Sequence, residues 1–152
     1  MDGHDVVETP PRSVRTGRVR LRGGYNPAAL SDQVTIRIPA TTRHIALVRA
    51  TATTLAALLD FTYDRLTDLH IAIDEICSRI LATSSPRASR LEVTFTLEDD
   101  GIRIDASGDS PLKTGEEFLT TWSKAILDSV TEQMEVGVRD GVSVATLRIP
   151  RG

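Results

Sequence analysis

Two long segments of helical periodicity follow a short strand pattern, and this order restricts the fold more than any other feature of the chain. Val34, Ile36 and Ile38 alternate with polar residues up to Pro39, which predicts a half-buried strand. From residue 42 to about 59, apolar residues recur every three or four positions, as in a helix with one buried face. A second helix, with Asp64 or Thr67 as its candidate cap, is predicted up to about residue 81. The apolar positions of the two helices are Ile45, Val48, Ala52, Leu55 and Leu59, then Leu66, Leu69, Ile73, Ile76 and Ile80.

The second half of the chain predicts two hairpins with a third helix between them. The first hairpin is predicted to turn at Asp100 and Gly101 and the second at Asp140 and Gly141, since glycine tolerates the positive φ of a primed turn. The third helix is predicted from about residue 117 to 133. Strands grouped in hairpins, with helices long enough to cover one face, predict a two-layer α/β (α+β) sandwich with a mostly antiparallel sheet.

Residues 1 to 32 differ from the rest of the chain. They contain several prolines and glycines, few apolar residues and no sustained period, which predicts a flexible tail before one domain over residues 33 to 152. A solvated arm is one interpretation of the tail, and a weak contact with phosphate or an acidic partner is the alternative. Its basic residues are all arginines: Arg12, Arg15, Arg18, Arg20 and Arg22.

Composition argues against several classes of protein. A net charge of −3 and only six aromatic residues are unlike a nucleic-acid-binding domain, so no direct nucleic-acid partner is expected. The single Cys77 excludes an internal disulfide framework and fits a reducing compartment. The three histidines are too scattered to predict a metal site. Without a membrane-spanning apolar run or a signal peptide, the expected location is the cytoplasm, with no membrane partner.

The second predicted helix carries the residues with the clearest chemical potential. Glu75 and Arg79 lie four positions apart, on a different face from the apolar stripe, so their side chains can touch. One interpretation is a surface ion pair worth about 0.3 to 0.5 kcal/mol. The other places Glu75 on the wall of a cleft as a general base.

Three runs carry a family resemblance: IRIPA at 36–40, IALVR at 45–49 and DLHIAIDEICS at 68–78. They resemble the RsbW/UsfX-type anti-sigma factors, which are relatives of the histidine-kinase ATPase domains. The resemblance covers residues 33 to 150 and implies the Bergerat (GHKL) fold. In active members of that family the second helix holds a glutamate general base and, four residues later, a magnesium-binding asparagine. Glu75 matches the glutamate, and Arg79 stands in the place of the asparagine.

The chain departs from the nucleotide-binding motifs that the resemblance implies. The guanidinium of Arg79 has no acceptor for magnesium, although it could hold a phosphate directly. Ala106 stands where the family has its adenine-binding aspartate, next to Asp105 as a possible substitute and just before Gly108. Alternation along a strand places Asp105 on the opposite face unless the strand bulges.

A third motif of the family has glycines at the start of the last helix, where phosphates approach the amides. Thr121 and Ser123 stand in place of those glycines, with Trp122 between them. The three departures together predict a degenerate pocket without an ATP cofactor. ATP with magnesium remains the alternative if the pocket is retained.

The resemblance also implies partners. Arg49 matches an arginine of the first helix that contacts both the sigma factor and a STAS-type anti-anti-sigma protein, although a solvated surface arginine is the alternative. The implied function is an anti-sigma factor that sequesters a stress-response or developmental sigma factor and is released by partner switching. A homodimer through the first strand and first helix is implied as well. The alternative function is an active serine kinase that phosphorylates the anti-anti-sigma protein.

Three further residues receive structural interpretations. Cys77 is predicted to be packed rather than reactive. His70 is predicted to be an ordinary histidine on the helix surface. Trp122 is predicted to be a core or interface anchor rather than a ring that contacts substrate.

Overall fold

Five strands form one antiparallel sheet in the order β1-β2-β3-β5-β4. The computed structural model describes residues 32 to 152, so the predicted tail lies outside the described residues except for Asp32. The strands are β1 (Gln33–Pro39), β2 (Arg90–Glu98), β3 (Gly101–Pro111), β4 (Gln133–Arg139) and β5 (Val142–Pro150). Because β1 and β4 each pair with one neighbour, they are the two edges of the sheet.

Three helices complete the fold: α1 (Ile45–Leu58), α2 (Tyr63–Thr83) and α3 (Thr121–Val130). A turn of 3-10 helix, Thr42–His44, precedes α1. The helices and the sheet share one buried apolar cluster, so the predicted two-layer sandwich with an antiparallel sheet is confirmed. The arrangement is consistent with the GHKL-like fold that the resemblance implies. In the described part of the chain, no helix is long and apolar enough to cross a membrane.

The core forms where the helical stripes meet the inner face of the sheet. The α2 stripe of Leu69, Ile73, Ile76 and Ile80 is fully buried, as its spacing predicts. On the sheet, alternate residues such as Phe95 are buried against the helices, while their neighbours face the other side. Full burial of one large apolar side chain contributes roughly 1.5 to 3 kcal/mol before the entropy cost of ordering it. This packing fixes α2 across the middle of the sheet.

The structure corrects two predicted helix boundaries. Helix α3 is shorter than predicted because Thr120 caps it, its hydroxyl accepting from the Ser123 amide at 3.0 Å, and because Thr131 is already extended. The cap of α2 is Thr62, whose hydroxyl accepts from the Arg65 amide at 3.3 Å, rather than Asp64 or Thr67. Thr67 lies inside the helix and donates its hydroxyl to a carbonyl of the preceding turn.

The two hairpins differ in the role of their glycine. Asp140 and Gly141 both have positive φ, 52° and 79°, which confirms the predicted primed turn. The first turn was predicted wrongly, because Gly101 is the first residue of β3 and pairs with Glu98. A Cβ on Gly101 would lie 2.5 Å from the Ile149 carbonyl oxygen, so this glycine is required by the close approach of β5.

The side of the sheet away from the helices is polar, and we call it the open face. Its strands alternate side chains such as Arg37, Glu92 and Asp105 with the buried residues of the core. Arg37 pairs with Glu92 across β1 and β2, and Arg148 on β5 contacts Glu98 and two further carboxylates. The pairs keep this face hydrophilic.

Candidate functional site

Arg49 on α1 is held in place by Asp74 on α2. One guanidinium nitrogen, Nη1, lies 2.8 Å from each of the two carboxylate oxygens of Asp74. Both side chains remain partly exposed, at 41% for Arg49 and 45% for Asp74. Within the described residues, Nε and Nη2 of Arg49 donate to no acceptor. The pair therefore orients the guanidinium and leaves one of its donating edges open for a carboxylate of another molecule.

Arg49 is the only charge that α1 contributes to its own surface, and the exposed Asp74 of α2 lies beside it. Helix α1 contains no other charged residue, and its exposed side includes Leu47 and Leu58, which are 53% and 69% exposed. We call the exposed side chains of α1, together with Arg49, the outward α1 surface; besides these two leucines it consists of Ala46, Ala50, Thr53, Thr54 and Ala57. Exposed arginines are enriched in protein–protein interfaces, so Arg49 is the member of this surface best suited to a specific contact.

His70 lies beside this surface, as its predicted helix-surface position implies. Its Nε2 lies 2.8 Å from the Thr53 hydroxyl, so it links α2 to α1 through a hydrogen bond. Sequence reasoning singled out Arg49 but missed its partner Asp74. The consecutive acids at positions 74 and 75 were the only available signal, and the resemblance drew attention to the second of them.

Arg79 donates to the main chain rather than to Glu75. Its Nε donates to the Phe118 carbonyl at 2.9 Å and its Nη2 to the Glu117 carbonyl at 3.1 Å. No ion pair between Glu75 and Arg79 forms in the described part of the chain, so the predicted surface pair is wrong. The guanidinium instead reaches across to the segment that precedes α3. Glu75 is half-buried next to it on α2.

The segment between β3 and α3 lies against the C-terminal end of α2. The Lys113 amide donates to the Thr83 carbonyl at 2.7 Å, and Phe118 is buried in the core at 8% exposure. With the two bonds from Arg79, the segment is fixed at both of its ends. Because Arg79 contributes donors and no acceptor oxygen, the arrangement does not fit a magnesium site built on this residue.

The start of α3 is capped by the chain's own Thr120. Thr120 accepts from the Ser123 amide and donates to the Ser123 hydroxyl at 3.0 Å, and Ser123 is buried at 3% exposure. The cap thus occupies one of the amides that an anion at a helix N-terminus would use. Trp122 is 75% exposed, which excludes the core position that was one of its two predicted roles.

Asp105 and Gly108 are not brought together around Glu75. Asp105 lies on the open face, as alternation along the strand predicts, and accepts from the Thr146 hydroxyl at 2.6 Å. The irregularity of β3 begins only after Ser107, so it does not turn Asp105 towards the helices. A Cβ on Gly108 would lie 2.9 Å from Cγ2 of Ile80, so Gly108 serves the packing of α2 on the sheet.

Asp109 has a structural role that the sequence did not reveal. Its carboxylate accepts from the Ser89 hydroxyl and from the amides of Ser89 and Arg90 at 2.9 and 3.1 Å. These bonds, led by the Ser89 hydroxyl, hold the pKa of Asp109 below its ordinary value. The residue thus organises the start of β2.

Cys77 is fully buried, which confirms its predicted packing. Burial, with a smaller contribution from the negative charge of Asp74, raises the pKa of its thiol to about 12. A thiol with this pKa is almost entirely protonated at neutral pH and is a poor nucleophile.

The main cavities of the described residues lie elsewhere. Three adjoin one another over β3, β5 and β4, and the largest of these encloses about 500 Å³ beside Arg103 and Arg148. None of the five main cavities on residues 32 to 152 is lined by Glu75 or Arg79. Nor do any three His, Cys, Asp or Glu side chains in this part of the chain lie close enough to hold a metal ion together.

Sequence comparisons place these features in a family context. The chain is 29% identical over 77 residues to the serine-protein kinase RsbW of Bacillus cereus strain B4264, covering 50% of this chain and 48% of that protein. It is 22% identical over 135 residues to the RsbW of Bacillus pumilus strain SAFR-032, covering 75% and 83% of the two chains. This chain is similar in sequence to RsbW. The predicted resemblance is thereby confirmed.

The similarity to RsbW is distant and partial. The RsbW of Bacillus subtilis strain 168 is 25% identical over 76 residues, which is 49% of this chain. The chain spans about half the length of most of the RsbW relatives it matches. No family model matches the chain.

Proposed function

We propose that this protein is an RsbW-type anti-sigma factor that works by partner binding, without ATP-dependent kinase activity. It sequesters a sigma factor of the stress-response or developmental type in the cytoplasm. A STAS-type anti-anti-sigma protein releases the sigma factor by taking the same or an overlapping surface. The observation that carries the proposal is the outward α1 surface, where Arg49 is the single charge and Asp74 holds it with one donating edge open.

Arg49 supplies the specific contact of this surface. Its free edge can donate two parallel hydrogen bonds to one carboxylate of the sigma factor. Asp74 reduces the entropy cost of that contact because the guanidinium is already oriented. The exposed Leu47 and Leu58 add apolar area elsewhere on α1, on the side of the helix opposite Arg49.

Independence from nucleotide is supported at three positions where the resemblance implies nucleotide-binding residues. Arg79 donates to main-chain carbonyls in place of a metal ligand. Thr120 occupies the Ser123 amide at the start of α3. Asp105 lies on the open face of the sheet, away from the helix that carries Glu75.

Release without phosphorylation depends on relative affinity and concentration. A ligand shifts an equilibrium only by its differential affinity for the two states. Two partners that need the same Arg49 edge exclude one another, so an excess of the anti-anti-sigma protein frees the sigma factor by mass action.

The proposal is tested by capturing the sigma factor from the native cells and measuring its affinity for two charge-reversal variants. Arg49→Glu should weaken binding about a hundredfold, because it removes the donor and places a negative charge opposite the partner's carboxylate. Arg65→Glu is the matched control, since Arg65 also pairs with an aspartate and is 39% exposed, but lies on α2. Equal affinity of Arg49→Glu and the original chain would refute the role of Arg49.

The alternative function is a serine kinase that phosphorylates the anti-anti-sigma protein. The RsbW proteins that this chain matches are named serine-protein kinases, and Glu75 stands at the position of the family's general base. In this case, incubation with labelled ATP, magnesium and the anti-anti-sigma protein would transfer phosphate to a serine. Glu75→Ala would abolish the transfer. Our proposal predicts no phosphate transfer by the original chain or by the Glu75→Ala variant.

A further inference from the structure

Two side-chain contacts join α1 to α2, and they lie one helical turn apart. Arg49 pairs with Asp74, and the Thr53 hydroxyl lies 2.8 Å from Nε2 of His70. Thr53 follows Arg49 by four residues and His70 precedes Asp74 by four, so the contacts are successive steps between antiparallel helices. All four residues are exposed or half-buried. We call these four residues the α1–α2 junction.

The hydrogen bonds of Thr53 determine which ring nitrogen of His70 carries a proton. A threonine hydroxyl has one hydrogen, and that of Thr53 is donated to the Arg49 carbonyl at 2.9 Å. The hydroxyl therefore accepts from His70, so Nε2 is the protonated nitrogen when the ring is neutral. The other nitrogen, Nδ1, makes no hydrogen bond within residues 32 to 152. It is left as a free acceptor.

Protonation of His70 changes its free nitrogen without breaking the link to Thr53. A second proton goes to Nδ1, because Nε2 already carries one. Nε2 still donates to the Thr53 hydroxyl, whereas Nδ1 changes from an acceptor to a donor and the ring becomes positive. Histidine is the side chain that makes this change between about pH 5 and 8. The two helices therefore stay joined in both states, and only the chemistry offered to another molecule differs.

The charges of the junction favour an acidic partner once His70 is protonated. Arg49 is the only charged residue of α1, and Asp74 lies one turn after His70 on α2. Because Arg49 and Asp74 neutralise each other, a protonated His70 gives the junction a net positive charge. The other titratable side chains of α2 within two turns of His70 make no hydrogen bond or ion pair with it in the described part of the chain; they are Tyr63, Asp64, Arg65, Asp68, Glu75 and Cys77.

We propose that His70 is a second specificity-determining residue of the sigma-factor contact and that it binds in its protonated form. The inference rests on the proposed function, in which a carboxylate of the sigma factor takes the free edge of Arg49. That carboxylate lies about one helical turn from the His70 ring, roughly 6 Å, so its negative charge favours the protonated ring. Nδ1–H then donates to an acidic side chain of the sigma factor. Binding therefore takes up a proton from water, and a lower pH tightens the complex by the same linkage.

Proton uptake is measured by calorimetric titration of the full chain with the purified sigma factor, in two buffers of different ionisation enthalpy. The original chain should take up a fraction of a proton near neutral pH, and its affinity should rise about three- to fivefold from pH 8 to pH 6. His70→Gln should remove the uptake and most of this rise, because the glutamine amide donates to Thr53 but gains no proton. His44→Gln is the matched control and should keep both effects. His44 also lies 2.6 Å from a threonine hydroxyl, but in the turn before α1.

The tautomer is tested in the full chain without a partner. Proton–nitrogen NMR spectra, recorded above the range in which histidine titrates, should place the proton of the neutral His70 ring on Nε2. Thr53→Val should admit the other tautomer, whereas Thr53→Ser keeps the hydroxyl and should not. A proton on Nδ1 in the original chain would overturn the inference.

The outcomes separate this inference from the proposed function. If Arg49→Glu abolishes binding but the proton uptake is the same in His70→Gln and the original chain, the inference is overturned and the proposed function stands. If Arg49→Glu keeps the full affinity, the proposed function fails and the inference fails with it. Loss of both the uptake and the pH dependence in His70→Gln, but not in His44→Gln, supports the inference.

Discussion

Arg49 and Arg79 lie on neighbouring helices, and their guanidinium groups are used in opposite ways. Arg79 directs Nε and Nη2 at the carbonyls of Phe118 and Glu117, so its forked edge is closed by the chain itself. Arg49 uses only Nη1, on Asp74, and keeps the corresponding edge open. An arginine bound to main-chain carbonyls acts as a structural element, whereas an arginine oriented by an exposed acid can bind another molecule. Next to Glu75, the donors of Arg79 are thus used within the chain, whereas on α1 the donors of Arg49 remain accessible to another molecule.

The first way to break this comparison is to remove Arg79. Arg79→Ala should destabilise the fold by about 2 to 3 kcal/mol, since two charge-assisted hydrogen bonds are lost and two carbonyls lose their donor. Urea unfolding measures the loss, and limited proteolysis should show faster cleavage between residues 113 and 120. Arg79→Lys is the control and should recover part of the stability, because the lysine ammonium can still donate to a carbonyl but lacks the planar fork that reaches both. A change below about 0.5 kcal/mol would contradict the structural role.

A second test of the structural role of the α2 region concerns Gly108, which packs against this helix. Gly108→Ala should cost about 1 to 3 kcal/mol because its Cβ would overlap Cγ2 of Ile80 at 2.9 Å. Thermal or urea unfolding measures the loss. Gly137→Ala is the matched control in another strand, where a Cβ meets nothing within 4 Å, and should not destabilise the monomer. Equal effects of the two substitutions would show that Gly108 is not needed for packing.

Removing the side chain of Arg49 should reduce stability less than removing that of Arg79. Arg49→Ala should change the free energy of unfolding by less than about 1 kcal/mol, because both members of its ion pair are more than a third exposed and screened by solvent. Its effect on sigma-factor binding should be far larger than its effect on unfolding. A loss of stability as large as that of Arg79→Ala would erase the distinction between the two arginines.

The smallest predicted effect is a pH dependence from Asp109. Its folded-state pKa is lowered by hydrogen bonds from Ser89 and Arg90, so the ionised carboxylate stabilises the fold above its unfolded pKa. That contribution is lost as the pH falls below about 4, through the folded-state pKa. Urea unfolding at several acidic pH values should show a shallower acid dependence for Asp109→Asn than for the original chain. Identical acid profiles would contradict the contribution of these bonds.

The fold was predictable because periodicity reports which side of each element is buried. Alternation at Val34, Ile36 and Ile38 and the stripe along α2 gave the correct layers. The end of α3 was not predictable, since the apolar residues Val130 and Met134 continue a helical spacing although the backbone becomes extended at Thr131. The turn at Gly101 was predicted wrongly for a related reason. Strand β5, which approaches this glycine closely, is distant from it in sequence, so the local pattern does not show the contact.

The candidate site was predictable only in part. The sequence identified Arg49, Glu75 and Arg79 but not their partners, since a main-chain carbonyl acceptor such as that of Phe118 has no sequence signature. The pair of Arg49 with Asp74 depends on how α1 and α2 lie against each other, which single-helix patterns do not specify. Asp105 followed the expected alternation and lies on the open face.

Nucleotide binding by the complete chain tests the central claim most directly. Calorimetric titration with ATP and magnesium should give no binding heat, and the affinity for the captured sigma factor should be the same with and without Mg-ATP. The Arg49→Glu variant should lose the sigma factor under both conditions. Tight binding of Mg-ATP, with phosphate transfer to the anti-anti-sigma protein that disappears in Glu75→Ala, would contradict the account.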